Sequence, residues 1–183
     1  MRVIGGEFRS RRLKTVRGLD TRPTPDRLRE SLFDVLASRI AGCVFVDTYA
    51  GTGAVGIEAL SRGARRAIFV EKDRAAVAVI RENLAALGLE NRAEVFTSKA
   101  VPVLERVTAN IVFLDPPYEL ENEYHSVLTR LGESRAELVI VQHSRRTVLE
   151  SGYGRLQRYR ELKQGDNVLS FYSSTSVQDR SGL

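Results

Sequence analysis

The sequence reads VFVDTYAGTGAVG from Val44 to Gly56, and this segment is the strongest indication of the fold class. An apolar run leads into Asp47, glycines follow, and apolar residues then recur at helical spacing from Val55 towards Gly63. This order predicts a buried strand, a tight glycine loop and a helix, the unit from which parallel α/β folds are built. Glycines let a ligand approach the backbone closely at the amino terminus of a helix.

The same alternation continues on both sides of this unit. Apolar runs predict further strands, and helical spacing between them predicts helices, so we expect an α/β, Rossmann-like fold. Its sheet is expected to have seven strands, mostly parallel, with an antiparallel last strand after a turn at 164–167. Asp73 and Gly88 have the residue types that cap a helix at its two ends. The expected strands after the first cover residues 67–71, 93–97, 110–114, 137–142, 155–159 and 168–172.

The amino-terminal segment is strongly basic. Residues 1–30 contain nine basic and four acidic side chains, which accounts for the whole net charge of +5. Such a local excess of arginine indicates a surface that binds phosphate backbones, although a solvated face is the alternative.

We predict a basic β-hairpin over 1–22, a main domain over 23–173 and a flexible tail over 174–183. A helix is expected from a Thr24 cap and Pro25 to Ala41. Candidate nucleic-acid contacts are Arg2, Arg9, Arg11, Arg12, Lys14, Arg22 and Arg27, with Arg29 extending the same surface.

Length and composition narrow the class of protein. The chain has 183 residues, 43% of them hydrophobic and 28% charged, which is ordinary for one globular domain. Its apolar runs are too short to span a bilayer, and Arg2 at the start argues against a secretory signal. Cys43 is the only cysteine, and His125 and His143 lack partners at metal or triad spacing, so no metal site is expected. We therefore expect a cytoplasmic protein.

The glycine loop is compatible with two classes of cofactor. Gly51, Gly53 and Gly56 match the dinucleotide pattern, and Glu71 lies twenty residues after Gly51, where an acid can bind both ribose hydroxyls. However, Asp47 before the glycines would repel a pyrophosphate and could bind an amino group. A ligand with a ribose, an amino-acid group and no phosphate fits better, and S-adenosylmethionine is such a ligand. A nicotinamide cofactor, or a tight turn without a ligand, remains the alternative.

A second polar motif, Asp115-Pro116-Pro117-Tyr118, follows the apolar run at 110–114. Two consecutive prolines fix two φ angles and donate no N–H, so the carbonyls of Asp115 and Pro116 become rigid acceptors. Tyr118 adds a flat aromatic face. Acceptors beside an aromatic ring suit a planar amino group that must be held and deprotonated, whereas the alternative is a simple turn.

Together these motifs resemble class I S-adenosylmethionine-dependent methyltransferases. Within that class the chain is similar, to about Tyr172, to the RsmD-type 16S ribosomal RNA guanine-N2 methyltransferases. The segments that carry this resemblance are RVIGG at 2–6, TRPTPDRLRESLF at 21–33, DTYAGTGAVGIEALSRG at 47–63 and DPPY at 115–118.

The resemblance implies the roles of individual residues. Asp47, Tyr49, Gly51 and Gly53 would hold the methionine part, Glu71 the ribose, and Ser98 and Ala100 the adenine edge. Lys99 departs from the family, because it cannot accept a hydrogen bond from the adenine amine. Asp115 and Pro116 would hold the target amine, and Tyr118 would stack on the base. The expected partner is 16S ribosomal RNA or an assembling small subunit, bound by a monomer without metal. The remaining site residues expected around these are Ala50, Thr52, Lys72 and Pro117.

Other functions use related motifs. Asp-Pro-Pro-Tyr also serves DNA adenine-N6 methylation, although no target-recognition domain is evident in this sequence. Glutamine-N5 methyltransferases resemble Asn-Pro-Pro-Tyr at this place and are less similar. A catalytically silent RNA-binding module and a nicotinamide-dependent oxidoreductase are the alternatives from other classes.

Overall fold

The computed structural model describes residues 1–16, 25–117 and 120–174. The chain divides into two compact units, Met1–Lys99 and Ala100–Leu183. The predicted hairpin residues 17–22, the proposed Thr24 cap and nearly all of the predicted tail lie outside the described residues. Within the parts of the chain described here, no helix is long and apolar enough to cross a membrane.

The first unit is a parallel three-stranded sheet with helices. Its elements in chain order are α1 (Asp26–Leu36), β1 (Val44–Thr48), α2 (Ala54–Ser61), β2 (Arg66–Glu71), α3 (Arg74–Leu87), a 3-10 turn (Glu90–Arg92) and β3 (Ala93–Thr97). The strands lie in the order β3-β2-β1, so the chain moves outward from β1 with each crossover. Thr48 is paired with Val70, and Glu71 with Thr97, so the carboxyl ends of the strands lie at one edge.

The core of this unit forms where α2 and α3 cover the sheet. Ile57 and Leu60 of α2 and Ile80 and Leu84 of α3 pack with Phe69 of β2, and all five are nearly inaccessible to solvent. Helix α3 has the caps expected from sequence, because the Asp73 carboxylate accepts the Ala76 N–H and Gly88 takes a left-handed conformation.

The second unit combines one parallel strand pair with an antiparallel sheet. Its elements in chain order are α4 (Ala100–Leu104), β4 (Ile111–Leu114), α5 (Glu121–Glu133), β5 (Leu138–Ser144), β6 (Gly152–Tyr153), β7 (Leu156–Gln164) and β8 (Asn167–Ser174). Strand β4 is parallel to β5, and the order then continues β5-β8-β7-β6 with antiparallel neighbours. Gly165 and Asp166 form the two-residue connection between β7 and β8.

The α/β class with parallel strands and an antiparallel last strand is confirmed, with differences in detail. Eight strands, not seven, occur in the described residues, because the two-residue β6 has no run long enough to show alternation. Helix α1 begins after Pro25 and ends at Leu36, earlier than Ala41, because the Ala37 N–H bonds to the carbonyl three residues back. The amino-terminal hairpin has one isolated antiparallel bridge, Arg2 to Arg12, in place of two continuous strands.

Candidate active site

The loop after β1 is closed by the Asp47 side chain. This carboxylate is 2% exposed, and its Oδ2 accepts the Gly56 N–H at 2.8 Å, which ties the strand end to the first turn of α2. Within the loop Gly53 N–H donates to the Ala50 carbonyl at 2.7 Å. Tyr49 has a φ of 59°, a left-handed conformation that is unfavourable for a bulky residue. Such strain persists where surrounding contacts enforce it, as at binding sites.

Glu71 joins the glycine loop to the ends of the neighbouring strands. Its Oε2 accepts the Gly51 N–H at 2.9 Å and its Oε1 accepts the Asp73 N–H at 2.9 Å, while its carbonyl accepts the Ser98 N–H at 3.1 Å. The half-buried carboxylate is therefore held in one orientation, and each of its oxygens keeps a lone pair for a further donor.

The three glycines of the loop have different surroundings. A Cβ at Gly51 would meet no atom within 4 Å, whereas a Cβ at Gly56 would lie 2.3 Å from the Phe69 ring. A Cβ at Gly53 would meet Ile80 and Phe69 at 3.2 and 3.3 Å. Gly51 therefore faces open space, and Gly56 is required for packing of α2 against β2. This open space lies beside Gly51, whose N–H bonds to the oriented Glu71 carboxylate.

The remaining cofactor candidates of the first unit lie on the same strand ends. Thr52 is buried, and its hydroxyl donates to the Met1 sulfur at 3.4 Å, so its side chain has a structural contact. Ser98 is half-buried, and Lys72 and Lys99 are exposed. Ala50 is buried in the core of this unit.

In the second unit the Asp-Pro-Pro corner directly follows β4. The four strand residues are buried, Asp115 is half-buried, Pro116 is buried and Pro117 is exposed. The buried Tyr124 of α5 donates its hydroxyl to the Pro116 carbonyl at 3.2 Å. This contact is not predictable from a local motif, and the position of Tyr124 near the start of α5 is its only signal in the sequence. Tyr118 lies outside the described residues, and Ala100 is the buried first residue of α4.

A cleft of about 480 Å³ lies at the other end of β4. Leu104, Arg130 and Ala136 line it together with Val112, and Asp115 is not among its lining residues. The carboxylates in its wall, Glu105 and Glu133, are both ion-paired with Arg130, so we do not assign the active site to it. In the described part of the chain, no group of three His, Cys, Asp or Glu residues could hold a metal ion.

The structure sorts the basic residues into exposed and buried groups. Six of the seven predicted nucleic-acid contacts are exposed, while Arg22 lies outside the described residues. Arg2 is 3.8 Å from Asp26, and Lys14 is 2.9 Å from Glu82. The exposed six are Arg2, Arg9, Arg11, Arg12, Lys14 and Arg27.

The prediction for Arg29 is wrong. This side chain is fully buried, donates to the Arg2 carbonyl at 2.6 Å and to Asp26 at 3.0 Å, and cannot extend the surface. Burial lowers the pKa of its guanidinium, and Glu58 and Asp26 oppose that effect. The signal was present in the sequence, since Arg29 precedes Leu32 and Leu36 at the spacing of the apolar face.

Comparison with known proteins identifies the family. A family model described as "Conserved hypothetical protein 95" matches residues 1–173. The chain is 34% identical over 181 residues to "Putative rRNA methyltransferase YlbH" of Bacillus subtilis, covering 94% of this chain and 98% of that protein. It is 44% identical over 120 residues to "Ribosomal RNA small subunit methyltransferase D" of Escherichia coli, covering 64% of this chain and 60% of that protein.

A solved structure shows the same fold over nearly the whole length of both chains. The "Putative methyltransferase yhhF" of Escherichia coli is 35% identical with a TM-score of 0.81, covering 95% of this chain and 97% of that one. The fold is therefore the α/β Rossmann-like methyltransferase fold. The chain belongs to the Conserved hypothetical protein 95 family, the family of RsmD-type methyltransferases that its motifs predicted.

Proposed function

We propose that this protein uses S-adenosylmethionine to methylate the exocyclic N2 amine of a guanine in small-subunit (16S) ribosomal RNA. Family membership and relatives named as ribosomal RNA methyltransferases support the substrate class. The observation that carries the proposal is the rigid Asp115-Pro116-Pro117 corner at the carboxyl end of a buried strand. In open α/β sheets, ligands bind at the carboxyl ends of strands.

The residues of the first unit fit the cofactor. Gly51 offers open space beside the backbone, and the oriented Glu71 carboxylate suits the two ribose hydroxyls. The Asp47 carboxylate adds negative charge where a cationic amino group, but not a pyrophosphate, would bind. When bound, the cofactor supplies an electrophilic methyl group on a sulfonium. Lys99 is exposed, so we propose that the adenine edge is read by backbone groups near Ser98.

Asp115 and the Pro116 carbonyl would act on the target amine. The guanine amine is a weak nucleophile because its lone pair is delocalised into the ring. Two fixed acceptors would pyramidalise the nitrogen and stabilise the positive charge that develops as its new bond to carbon forms. The Tyr124 hydroxyl occupies one lone pair of the Pro116 oxygen and orients it, which leaves the other for an N–H donor. The acidified proton would then pass to the Asp115 carboxylate.

Tyr118 and the basic amino-terminal residues would hold the RNA. Stacking of the target base on Tyr118 would contribute about 1–3 kcal/mol. Since a base must leave its stack to reach such a corner, the enzyme would act on an extruded or exposed nucleotide. The predicted extension 1–22 would bind flanking phosphates, and the affinity would then depend strongly on salt. We further propose a metal-free monomer that works in the cytoplasm.

The test is methyl transfer to small-subunit RNA by an Asp115→Asn variant. Loss of the carboxylate removes one preorganised acceptor, so we expect kcat to fall by about 10²–10³-fold. Cofactor affinity should stay within about twofold of wild type, because other residues hold the cofactor. Asp166→Asn, which changes an exposed carboxylate in the β7–β8 turn, is the matched control and should retain full activity. Wild-type rates for Asp115→Asn would contradict the assignment.

The identity of the product separates the competing methyltransferase functions. Digestion of the methylated RNA to nucleosides and mass spectrometry should give N2-methylguanosine. N6-methyladenine in a DNA substrate, or methylglutamine in a protein substrate, would replace the proposed function by one of the alternatives. A copurifying nicotinamide nucleotide would refute the cofactor assignment.

A further inference from the structure

The amino-terminal arm, residues 1–16, packs against helices α2 and α3 of the first unit. Val3 and Leu13 are 1% and 6% exposed and belong to the core formed with Ile57, Leu60 and Leu84. The two legs of the arm pair through Val3 N–H to the Arg11 carbonyl at 2.9 Å and Leu13 N–H to the Met1 carbonyl at 3.0 Å. The apolar side chains thus anchor the arm, and its arginines remain on the outside.

Helix α2 binds the first leg through a fully buried carboxylate. Glu58 accepts the Ile4 and Gly5 N–H groups, each at 2.8 Å, and also the Arg62 Nε at 2.8 Å. The buried Arg29 Nε lies 3.9 Å from the same carboxylate. A buried charge is tolerated only when it is paired and hydrogen-bonded, so Glu58 depends on the arm as much as the arm depends on Glu58.

Ser61, one turn after Glu58, continues this contact. Its hydroxyl donates to the Gly5 carbonyl at 2.6 Å and accepts the Phe8 N–H at 3.0 Å, and its own carbonyl accepts the Glu7 N–H at 2.8 Å. Gly6 lies against this carbonyl with a φ of 77°, and a Cβ there would be only 2.0 Å from the Ser61 oxygen. Four backbone N–H groups of the arm therefore bond to α2, and no side chain fits at position 6.

Helix α3 holds the second leg. The buried Asn83 accepts the Lys14 N–H at 2.8 Å and donates to the Lys14 carbonyl at 3.1 Å. The same amide donates to the Thr52 carbonyl in the glycine loop at 3.2 Å. Both legs are thus held by helices of the unit that contains the glycine loop.

The exposed end of the arm carries its cations. Arg9, Arg11 and Arg12 are all exposed, and among the described residues Arg9 and Arg12 form no ion pair. Ser10 between them has a left-handed φ of 69°, so the chain turns sharply here. Three arginines are therefore presented on a short turn whose two legs are fixed.

We propose that Glu58, with Ser61 and Asn83, is a positioning residue for RNA binding. It fixes the arm in advance, so that Arg9, Arg11 and Arg12 contact phosphates without the entropic cost of ordering the arm. The inference rests on the proposed RNA-binding role of these arginines. Ordering a loose basic segment on binding costs affinity, and a preorganised arm avoids that cost. Glu58 does not touch RNA and acts only through the arm.

The most specific variant is Gly6→Ala, because its methyl group would push the arm away from α2 without changing any charge. Gly42→Ala is the matched control, because Gly42 has a φ of 75° and open space, so it imposes the same backbone strain without a clash. Amide hydrogen exchange of residues 3–13 should accelerate in Gly6→Ala and not in Gly42→Ala. Glu58→Gln, which places an amide donor against the Ile4 or Gly5 N–H, should have the same effect.

RNA binding is then measured with transcribed small-subunit RNA at several salt concentrations. For Gly6→Ala and Glu58→Gln we expect the RNA Kd and KM to rise at least about tenfold, with kcat and the Kd for S-adenosylhomocysteine within about twofold. The slope of log Kd against log salt should become shallower by about two, since each lost phosphate contact contributes about 0.7–0.9. A purely structural role would leave this slope unchanged, and that result would overturn the inference.

A double-mutant cycle separates this inference from the proposed function. Replacing Arg9, Arg11 and Arg12 by Gln should weaken RNA binding strongly in wild type and little in the Glu58→Gln or Gly6→Ala background. An equal loss in both backgrounds would overturn the positioning role and leave the RNA surface intact. No loss in wild type would refute the RNA surface itself, and the positioning role with it.

Discussion

The glycines of the loop after β1 have different surroundings. Gly51 and Gly56 belong to one sequence pattern, yet a Cβ at Gly51 enters open space and one at Gly56 enters the Phe69 ring. The dinucleotide pattern alone does not distinguish these two positions. The Gly51 N–H bonds to the Glu71 carboxylate, and Gly51 is a proposed cofactor contact, whereas Gly56 is a packing contact between α2 and β2.

We predict that Gly51→Ala weakens cofactor binding at least about tenfold, because its methyl group would occupy the space assigned to the ligand. The left-handed φ of 54° also costs about 1–2 kcal/mol of stability. Gly88→Ala is the control. Gly88 has a φ of 66° and open space, and it caps the carboxyl end of α3, so the variant imposes the same backbone strain away from the glycine loop. Isothermal titration calorimetry with S-adenosylmethionine checks this. Equal affinities for the two variants would show that the ligand does not lie beside Gly51.

Among the helices and strands, α5 packs closely against β6 through Gly132. Gly132 lies against this strand, and a Cβ there would be 2.1 Å from the Tyr153 carbonyl oxygen. The Gly132 carbonyl also accepts the Arg155 N–H at 3.0 Å. The position of α5 matters for the proposed site because its Tyr124 hydroxyl hydrogen-bonds to the Pro116 carbonyl.

Gly132→Ala should therefore destabilise the protein by about 1–3 kcal/mol, although alanine normally stabilises a helix relative to glycine. Ser126→Ala, at an exposed position of the same helix, should be neutral or slightly stabilising. Thermal unfolding of the two variants measures the difference. A higher midpoint for Gly132→Ala would show that α5 can move away from β6 without cost.

At the scale of the whole molecule, stability should depend on pH through His143. This side chain is 4% exposed and hydrogen-bonds to the Ser170 hydroxyl and the Ser144 carbonyl at 2.9 and 2.8 Å. Burial lowers the pKa of its imidazole, an effect only partly offset by the bond to the Ser144 carbonyl and by Glu161. The folded state therefore disfavours the protonated form.

Because the folded pKa lies below the unfolded value of about 6.5, the unfolded chain binds more protons as the pH falls below that value. Unfolding free energy should consequently be highest above pH about 6.5 and decline on acidification, by at most about 1.4 kcal/mol per pH unit from this group. Urea denaturation at pH 7.5 and 5.5 measures the decline, which His143→Gln should reduce. An unchanged pH dependence in that variant would assign the decline to other groups.

Local patterns were enough to predict the alternation of strands and helices along the chain apart from β6, the caps of α3, and the placement of Asp47, Glu71 and Asp115 at or next to strand ends. These features depend on residues close together in the chain, so hydrophobic periodicity and capping residues are enough to predict them. Tertiary contacts alone decided that Arg29 is buried, that Glu58 holds the backbone of Ile4 and Gly5 more than fifty residues away, and that Gly56 packs on Phe69. No local signal encodes such contacts, because each depends on two distant segments meeting in the folded core.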